Sequence, residues 1–481
     1  MFFEIVIVLN LLLSANVVLG ENSSCHIENN EVGFSPSSSF HSAWDSSMNC
    51  AVSQCNVNSN TNLSCLSSSV NCYRYESVSH VSICAPGIVC SLLESCDNVT
   101  QSCQSNNSVC IVNSCCSSGY VCLPLFLSQF CSSIEICSSP SYFDEITYQG
   151  GNLSRWTAVG DYNGDGILDI AMTNAFGASV SLFLGIGNGT FQSEIGITVG
   201  PSPYSIVTND FNNDGILDLI VANFGSTTLS LLIGFGNGTF ENQQMISVGN
   251  SPSVIVTNDF NRDGNIDIAV VNVASRNFSV LLSFGNGSFA TQQTYLTGNG
   301  PYSIVSKDFN NDGIDDLIIA NYIDNSIQLF QGFTNGSFQL YSTFPTAMKP
   351  YAVIANDFND DGILDLILAY FNNNSISLLI GVGNGSFPSE VLFATGKSPL
   401  LMTAIDLNND QNLDVVVANH HNASISILLG LPNGTFQSQI VYSVGNDPFG
   451  VDVHDLNNDG RKDIIVANYN DGTLGLLISQ C

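Results

Sequence analysis

Apolar and polar positions from residue 139 to the end of this chain recur on a fixed beat of 49 residues, and within each beat the pattern is β throughout. In one unit, Tyr204 to Thr208 reads as a short strand and Leu217 to Ala222 as a nearly continuous apolar run suited to a buried strand. Leu229 to Phe235 gives a third strand and Gln243 to Val248 a fourth, with Asn237-Gly238 supplying the hairpin turn that Asn-Gly favours. Four short strands per unit make one propeller blade, and seven units make a ring. The pattern predicts an all-β fold: a seven-bladed β-propeller of four-stranded blades.

Counting strands predicts how the ring closes. After the last polar loop only two strands remain, Lys462 to Ala467 and Thr473 to Ile478, so the seventh blade lacks its outermost strand. By the repeat register, Tyr142 to Gln149, upstream of the first loop, is the equivalent of that strand. The first strand of the repeat region is expected to complete the last blade.

The polar stretch between the first and second strands has the form D-x-N-x-D-G-x-x-D. The seven copies offer oxygen ligands at positions 1, 3, 5 and 9 and, through the backbone carbonyl, at position 7. These are Asp161, Asn163, Asp165, Ile167 and Asp169 in the first, then Asp210, Asn212, Asp214, Ile216 and Asp218 in the second. Asp259, Asn261, Asp263, Asn265 and Asp267 form the third, and Asp308, Asn310, Asp312, Ile314 and Asp316 the fourth. Asp357, Asn359, Asp361, Ile363 and Asp365 follow, then Asp406, Asn408, Asp410, Asn412 and Asp414, and finally Asp455, Asn457, Asp459, Arg461 and Asp463. Such oxygens can converge on one hard cation, while Gly at position 6 allows the positive φ that wraps the loop, so Ca²⁺ is the expected cofactor, up to seven ions in a structural role. An EF-hand would need a bidentate Glu at position 12 and flanking helices, whereas here a β-run follows directly. In the sixth loop Gln411 replaces the Gly, at a strain of about 1 kcal/mol if positive φ is kept, so this site is expected to be the weakest.

The alternation of these loops with phrases such as Gly236-Asn237-Gly238-Thr239-Phe240 resembles the FG-GAP/VCBS repeats of the integrin α-subunit propeller and its relatives. That resemblance implies a seven-bladed propeller with calcium in the loops between first and second strands. Integrin propellers carry such sites in some blades, whereas here every blade has a version. With neither leg domains nor a membrane helix after Cys481, the chain is not expected to be an integrin subunit.

Composition places the repeats in an extracellular setting. The net charge is −32, with 41 Asp and Glu against nine Lys and Arg, and the loops, at three carboxylates each, hold 21 of those acids. A chain so acidic is a poor partner for nucleic acid or anionic membrane, and no stretch beyond the N-terminus is apolar enough for insertion. Residues 1–20 read as a signal peptide, with an apolar run from Ile5 to Leu13 and small residues before Glu21. Residues 21–138 hold 15 of the 16 cysteines and read as a disulfide-stapled region; residues 139–481 are the propeller. The odd upstream count leaves a thiol for Cys481, and Cys137 is its expected partner, pinning the seam.

The blade pattern also predicts two unlike faces. One gathers the acidic loops and the Asn-Gly turns, six of which are N-x-[ST] sequons at Asn188, Asn237, Asn286, Asn335, Asn384 and Asn433; these read equally as plain turns or as glycosylated sites. The other collects Phe224, Tyr322, Phe371 and Tyr469 at one register position and Tyr204, Tyr302, Tyr351 and Phe449 at another, together with sequons at Asn373 and Asn422. Those rings either pack between blades or line a ligand surface. His420 and His421 take the aromatic position in one blade, where solvation is the plain alternative to metal binding. With no H-E-x-x-H or G-x-S-x-G motif and the carboxylates committed to loops, no enzyme is expected. The expected function is a secreted recognition or adhesion module for an extracellular protein, with a carbohydrate-binding lectin as the alternative and hence a glycan as the other candidate partner.

Overall fold

The computed structural model describes residues 140–480 in full; upstream it gives backbone strand segments alone, the longest being Ala43–Ala51 and Ser69–Ser77, which pair antiparallel. The chain divides into two compact units, residues 1–135 and 136–481. The signal peptide, the cysteine pairing upstream of residue 140 and the Cys137–Cys481 bridge lie outside the described residues.

Residues 140–480 form seven four-stranded antiparallel sheets, and the first strands of successive blades touch one another around a closed ring. Blade 2 is typical: Pro203–Asn209, Asp218–Asn223, Thr228–Leu232 and Gln244–Ser247, from the axis outward. Its second strand is buried at every residue and its outer strand is mostly exposed. That gradient explains why the second-strand run is continuously apolar in sequence: it has a sheet neighbour on each edge and another blade on each side. The Pro at the start of the first strand sits beside a register shift between Pro203 and Ile206, where its missing N–H costs no ladder bond.

The seventh blade closes as expected. Ile146–Gln149 pairs antiparallel with Thr473–Leu477, which leads inward to Asp463–Asn468 and Pro448–His454. The closing strand carries the blade's side-chain chemistry with it. In blades 1, 2, 3 and 6 a second-strand Asn, a third-strand Ser and a Gln or Glu before the fourth strand form a buried clasp, such as Asn223 Nδ2 to Ser230 Oγ at 2.9 Å and Ser230 Oγ to Gln243 Oε1 at 2.7 Å. In blade 7 the acceptor is Glu145, whose Oε1 takes Asn468 Nδ2 at 2.8 Å from 323 residues away. Gly475 stands where the Ser would be, since a Cβ there would fall onto the Glu145 carboxylate.

Adjacent blades are stapled by an aromatic pair that the sequence contains but does not announce. The residue at loop position 2 packs on the Phe after the next blade's Asn-Gly turn: Tyr162 on Phe240, Phe211 on Phe289, Phe260 on Phe338, Phe309 on Phe387 and Phe358 on Phe436, all with ring centroids 5.5–6.2 Å apart. Backbone bonds follow the same line, from Gly238 N to Tyr162 O at 2.9 Å and Gly287 N to Phe211 O at 3.0 Å. Each Asn-Gly turn therefore rests on the acidic loop of the blade before it, which places loops and turns on one face.

Candidate functional site: two faces of one ring

On the first face, every acidic loop has the same internal wiring. In the second copy Asp210 Oδ2 accepts the Gly215 N–H at 2.7 Å, Asp210 Oδ1 and Asn212 Oδ1 both accept the Asp214 N–H at 3.1 Å, and Asp214 Oδ1 accepts the Ile216 N–H at 2.8 Å. Positions 1, 3 and 5 are thus gathered around a short arc of backbone, as the spacing predicts. Two left-handed residues make the arc. Position 6 has φ of 79–87° at its six glycines and 71° at Gln411, so the expected strained residue is there. Position 4 has positive φ too, at Gly164, Asn213, Arg262, Asn311, Asp360, Asn409 and Asn458, a requirement that only the Asn, Asp and Gly preference of this column hinted at and that Arg262 defies.

Position 9 differs from the other three. Asp169, Asp218, Asp267, Asp316, Asp365, Asp414 and Asp463 are all fully buried. Each clamps two segments: Asp218 Oδ2 accepts the Phe211 N–H at 2.9 Å, and Oδ1 accepts the Gly234 N–H at 2.8 Å, tying the loop to the end of the third strand. Burial pushes these carboxyls up, with the position 5 and position 1 carboxylates adding repulsion, to about 6 in Asp218, Asp267 and Asp365 and about 7 in Asp414. Among the described residues no three Asp, Glu, His or Cys side chains stand together as a metal cluster, so a cation here would depend on the Asn oxygen and the position 7 carbonyl as well as the carboxylates. The donors are all hard oxygens, and each position 9 oxygen retains a second lone pair beyond its N–H bond, which fits a calcium-type ion.

The opposite face carries the aromatic residues, and the structure joins them into one cluster at the axis rather than leaving them blade by blade. Tyr204 of blade 2 meets Tyr351 of blade 5 through their hydroxyls at 2.7 Å. Tyr302 stacks on Tyr351 at 5.0 Å, Tyr322 packs edge-on to both, and Phe371 follows at 5.8 Å from Tyr351. Phe449 and Tyr469 complete the circle, Phe449 lying 5.5 Å from Tyr204. Tyr204 and Phe449 are buried, while the rest are half-buried. Burial, offset by the bond from Tyr351, moves the Tyr204 phenol up to about 12.

His420 belongs to this cluster. Its ring lies 5.9 Å from Phe449 and 5.7 Å from Tyr469, and burial lowers its pKa, so it acts as a flat packing group; His421 is exposed and its Nδ1 meets Ser398 Oγ at 2.9 Å. The sequence reading missed the residue that completes the ring of first strands. Arg155 stands one repeat before Tyr204 and lays its guanidinium over Tyr204, Phe449 and Tyr469 at 5.0, 5.6 and 5.5 Å. Its Nε and Nη1 are buried without a hydrogen-bond partner, and the three ring faces lie against its charge. Subtracting one repeat length from Tyr204 would have found it.

The six sequon asparagines of the first face are exposed at the tips of their turns, with each Oδ1 accepting from the hydroxyl two residues on, as Asn237 does from Thr239 at 2.6 Å. Among the described residues no helix is long and apolar enough to cross a membrane.

The model of the FG-GAP-like repeat matches residues 161–221, 210–270, 259–319, 308–368, 357–417 and 406–466. The chain belongs to the FG-GAP-like repeat family. The crystal structure of BBS1N in complex with ARL6DN is similar in fold at TM-score 0.50 and 11% identity, covering 70% of this chain and 96% of that one. A protein from Lactobacillus plantarum aligns at TM-score 0.49 and 13% identity over 62% of this chain and 86% of its own. An Agrocybe aegerita lectin that recognises non-reducing terminal N-acetylglucosamine aligns at 0.45 and 14%, over 68% and 86%. No curated protein matches the chain.

Proposed function

We propose that this propeller is a secreted recognition module without catalytic activity, fastened by calcium on one face and binding an extracellular protein with the other. The observation that carries the reading is the division of labour between the faces. The acidic loops lie wholly on one side, wired to the blades' own backbone, and the axial cluster of aromatic rings with an unpaired guanidinium lies on the other. Aromatic residues and Arg are the groups that dominate protein interfaces, because they bury large areas at low entropic cost. Asp, Asn and carbonyl oxygens from positions 1, 3, 5, 7 and 9 would hold the ions, whose charge would offset the burial, and the added repulsion, that raise the position 9 carboxyls. Secretion rests on residues 1–20.

Binding of calcium to the folded state alone stabilises it by mass action. Melting the protein in calcium and again in EDTA tests the first half of the proposal: a rise with calcium is expected, and superimposable melts would refute it. Tyr302→Ala and Tyr322→Ala test the second half, since both should weaken capture of the extracellular partner while lowering the melt in calcium only by the few degrees that the lost ring contacts account for.

A further inference from the structure

One blade breaks the rules the other six keep, and it does so at three places that meet. In six blades a Gly before the first strand lies against the Asn that ends the second strand, so closely that a Cβ on Gly151, Gly200, Gly249, Gly298, Gly396 or Gly445 would come within 2.4–2.8 Å of the Asn side chain. In blade 5 the pair is Ala347 and Tyr370. Two residues further on, six blades place a left-handed residue, with φ of 51–66° at Leu153, Ser202, Ser251, Gly300, Ser398 and Asp447, whose carbonyl accepts an N–H from the loop after the second strand. Blade 5 has Lys349 there, outside the left-handed region, and the corresponding bond from Phe371 is missing; Tyr351 N bonds Ala369 O at 2.8 Å instead.

The two connections are therefore parted, and between them lies a cavity of about 180 Å³. Ala347, Met348, Lys349 and Tyr370 line it together with Asn325, Asn372 and Asn373. Lys349 is exposed and makes no ion pair among the described residues; its ammonium sits 5.4 Å over the Tyr322 ring. Tyr370 is buried with its hydroxyl held by Glu390 and Ser377. The cavity thus presents one unpaired cation, three carboxamides and the Met348 thioether; the Glu390 carboxylate behind it is spent on the Tyr370 hydroxyl and on the Ala347 N–H at 3.1 Å, and the cavity joins the axial cluster through Tyr322, whose hydroxyl accepts Asn372 Nδ2 at 2.5 Å.

From this we infer that the blade 5 cavity is a subsite for a single acidic side chain, Asp or Glu, on an extended segment of the protein partner. This inference rests on the recognition reading given above and supplies its chemistry. The cavity is smaller than the roughly 300–1,000 Å³ of pockets that enclose a whole ligand, which suits one side chain. Lys349 supplies the point charge for its carboxylate, and the Asn amides can both donate to and accept from the flanking peptide groups. A sugar ring fits less well: the Tyr322 face is already covered by the ammonium and the Tyr370 hydroxyl is taken, so no bare ring is left for stacking.

The test is an array of short random peptides probed with the full calcium-loaded chain, with a glycan array in parallel. Wild type should select Asp or Glu at one position, and Lys349→Met should weaken the selected peptides by at least about tenfold. The double change Ala347→Gly with Tyr370→Asn restores the pair found in the other six blades and should weaken the selection by removing the Tyr370 wall of the cavity; its melt checks that the blade stays folded. Because Asn373 begins a sequon, both arrays are repeated after enzymatic removal of N-glycans, and selection in either form supports the subsite. Peptide binding that ignores Lys349 but falls with Tyr302→Ala would overturn the subsite and leave the aromatic face standing as the binding surface. Binding to glycans with no peptide selected at all would overturn both.

Discussion

Removing the buried carboxylate of one acidic loop separates its two duties. In Asp218→Ala, the N–H groups of Phe211 and Gly234 lose their acceptor, at bonds of 2.9 and 2.8 Å. Two orphaned buried donors cost about 2–6 kcal/mol together. Against this, the wild-type carboxyl titrates at about 6 rather than 3.8, so at neutral pH its ionised form costs up to about 3 kcal/mol. The side chain itself is covered, but the loop above it is open to water, so about half of that figure is the sounder allowance. In EDTA at pH 7.5 the net loss should then be about 2–3 kcal/mol, and at pH 5, where wild type is largely protonated, it should approach about 4 kcal/mol. With about 2.1 cal/mol/K per residue over roughly 340 residues, 2–3 kcal/mol corresponds to a fall of about 3–4 °C in Tm. Asp214→Ala, which removes an exposed carboxylate, should cost under about 1 kcal/mol in EDTA. In calcium both variants should lose stability relative to wild type, because each removes a ligand. Calorimetric melts of the three proteins at two pH values, with and without calcium, decide the matter. Equal losses for Asp218→Ala and Asp214→Ala in EDTA would refute the idea that position 9 is a backbone clamp before it is a ligand.

The pH dependence of the unmutated protein follows from the same carboxyls. Their folded pKa values are raised, to about 6 in Asp267 and about 7 in Asp414, so the stability they contribute is full below about pH 4 and is lost as pH climbs through 6 to 7. Melts in EDTA should therefore fall between pH 5 and 8, and saturating calcium should flatten or reverse that trend. Gln411→Gly removes a left-handed strain of about 1 kcal/mol but adds freedom to the unfolded chain, for a net gain of about 0.5 kcal/mol in denaturant titration; the sixth calcium-binding step should tighten in calorimetry. Arg262→Asn, at φ 61°, should likewise stabilise by about 0.5 kcal/mol. Tyr204→Phe strips the Tyr351 hydroxyl of its partner inside the axial cluster and should cost about 1–2 kcal/mol, read as a lower midpoint in denaturant.

Period and phase carried much of this molecule. The strands of blade 2, the closing role of Ile146–Gln149 and the positive φ of Gln411 were all legible because a repeat lets one position be read seven times. What stayed hidden were relations between columns. The Gly–Asn contact behind Gly200 and Asn223 can be seen only when the sheet brings the fourth-to-first turn over the end of the second strand. Ala347 and Tyr370 then look like two ordinary substitutions until they are found to touch one cavity. Arg155 was hidden for a different reason: its column also holds Ser253 and Leu400 among the rings, so a residue that departs from the aromatic type carries no signal until the fold lays it over Tyr204. The dual clamp by position 9 was hidden because Asp reads alike as ligand and as N–H acceptor, and only its complete burial separates the two.

The pairing of Ile146–Gln149 with Thr473–Leu477 has a consequence for how the molecule comes into being. The strand that completes the ring is made before any blade, and its partner is made after six of them, so for most of synthesis both ends of the sheet stack are open edges. Closure must then span more than 300 residues, an entropic cost that grows only as the logarithm of the span but is met in a single late event. Until that event each end can pair with a neighbouring chain. A circular permutant cut between two blades would carry its seam elsewhere and could seal each blade as it emerged, so comparing its refolding yield with that of the natural order would measure what the late closure costs.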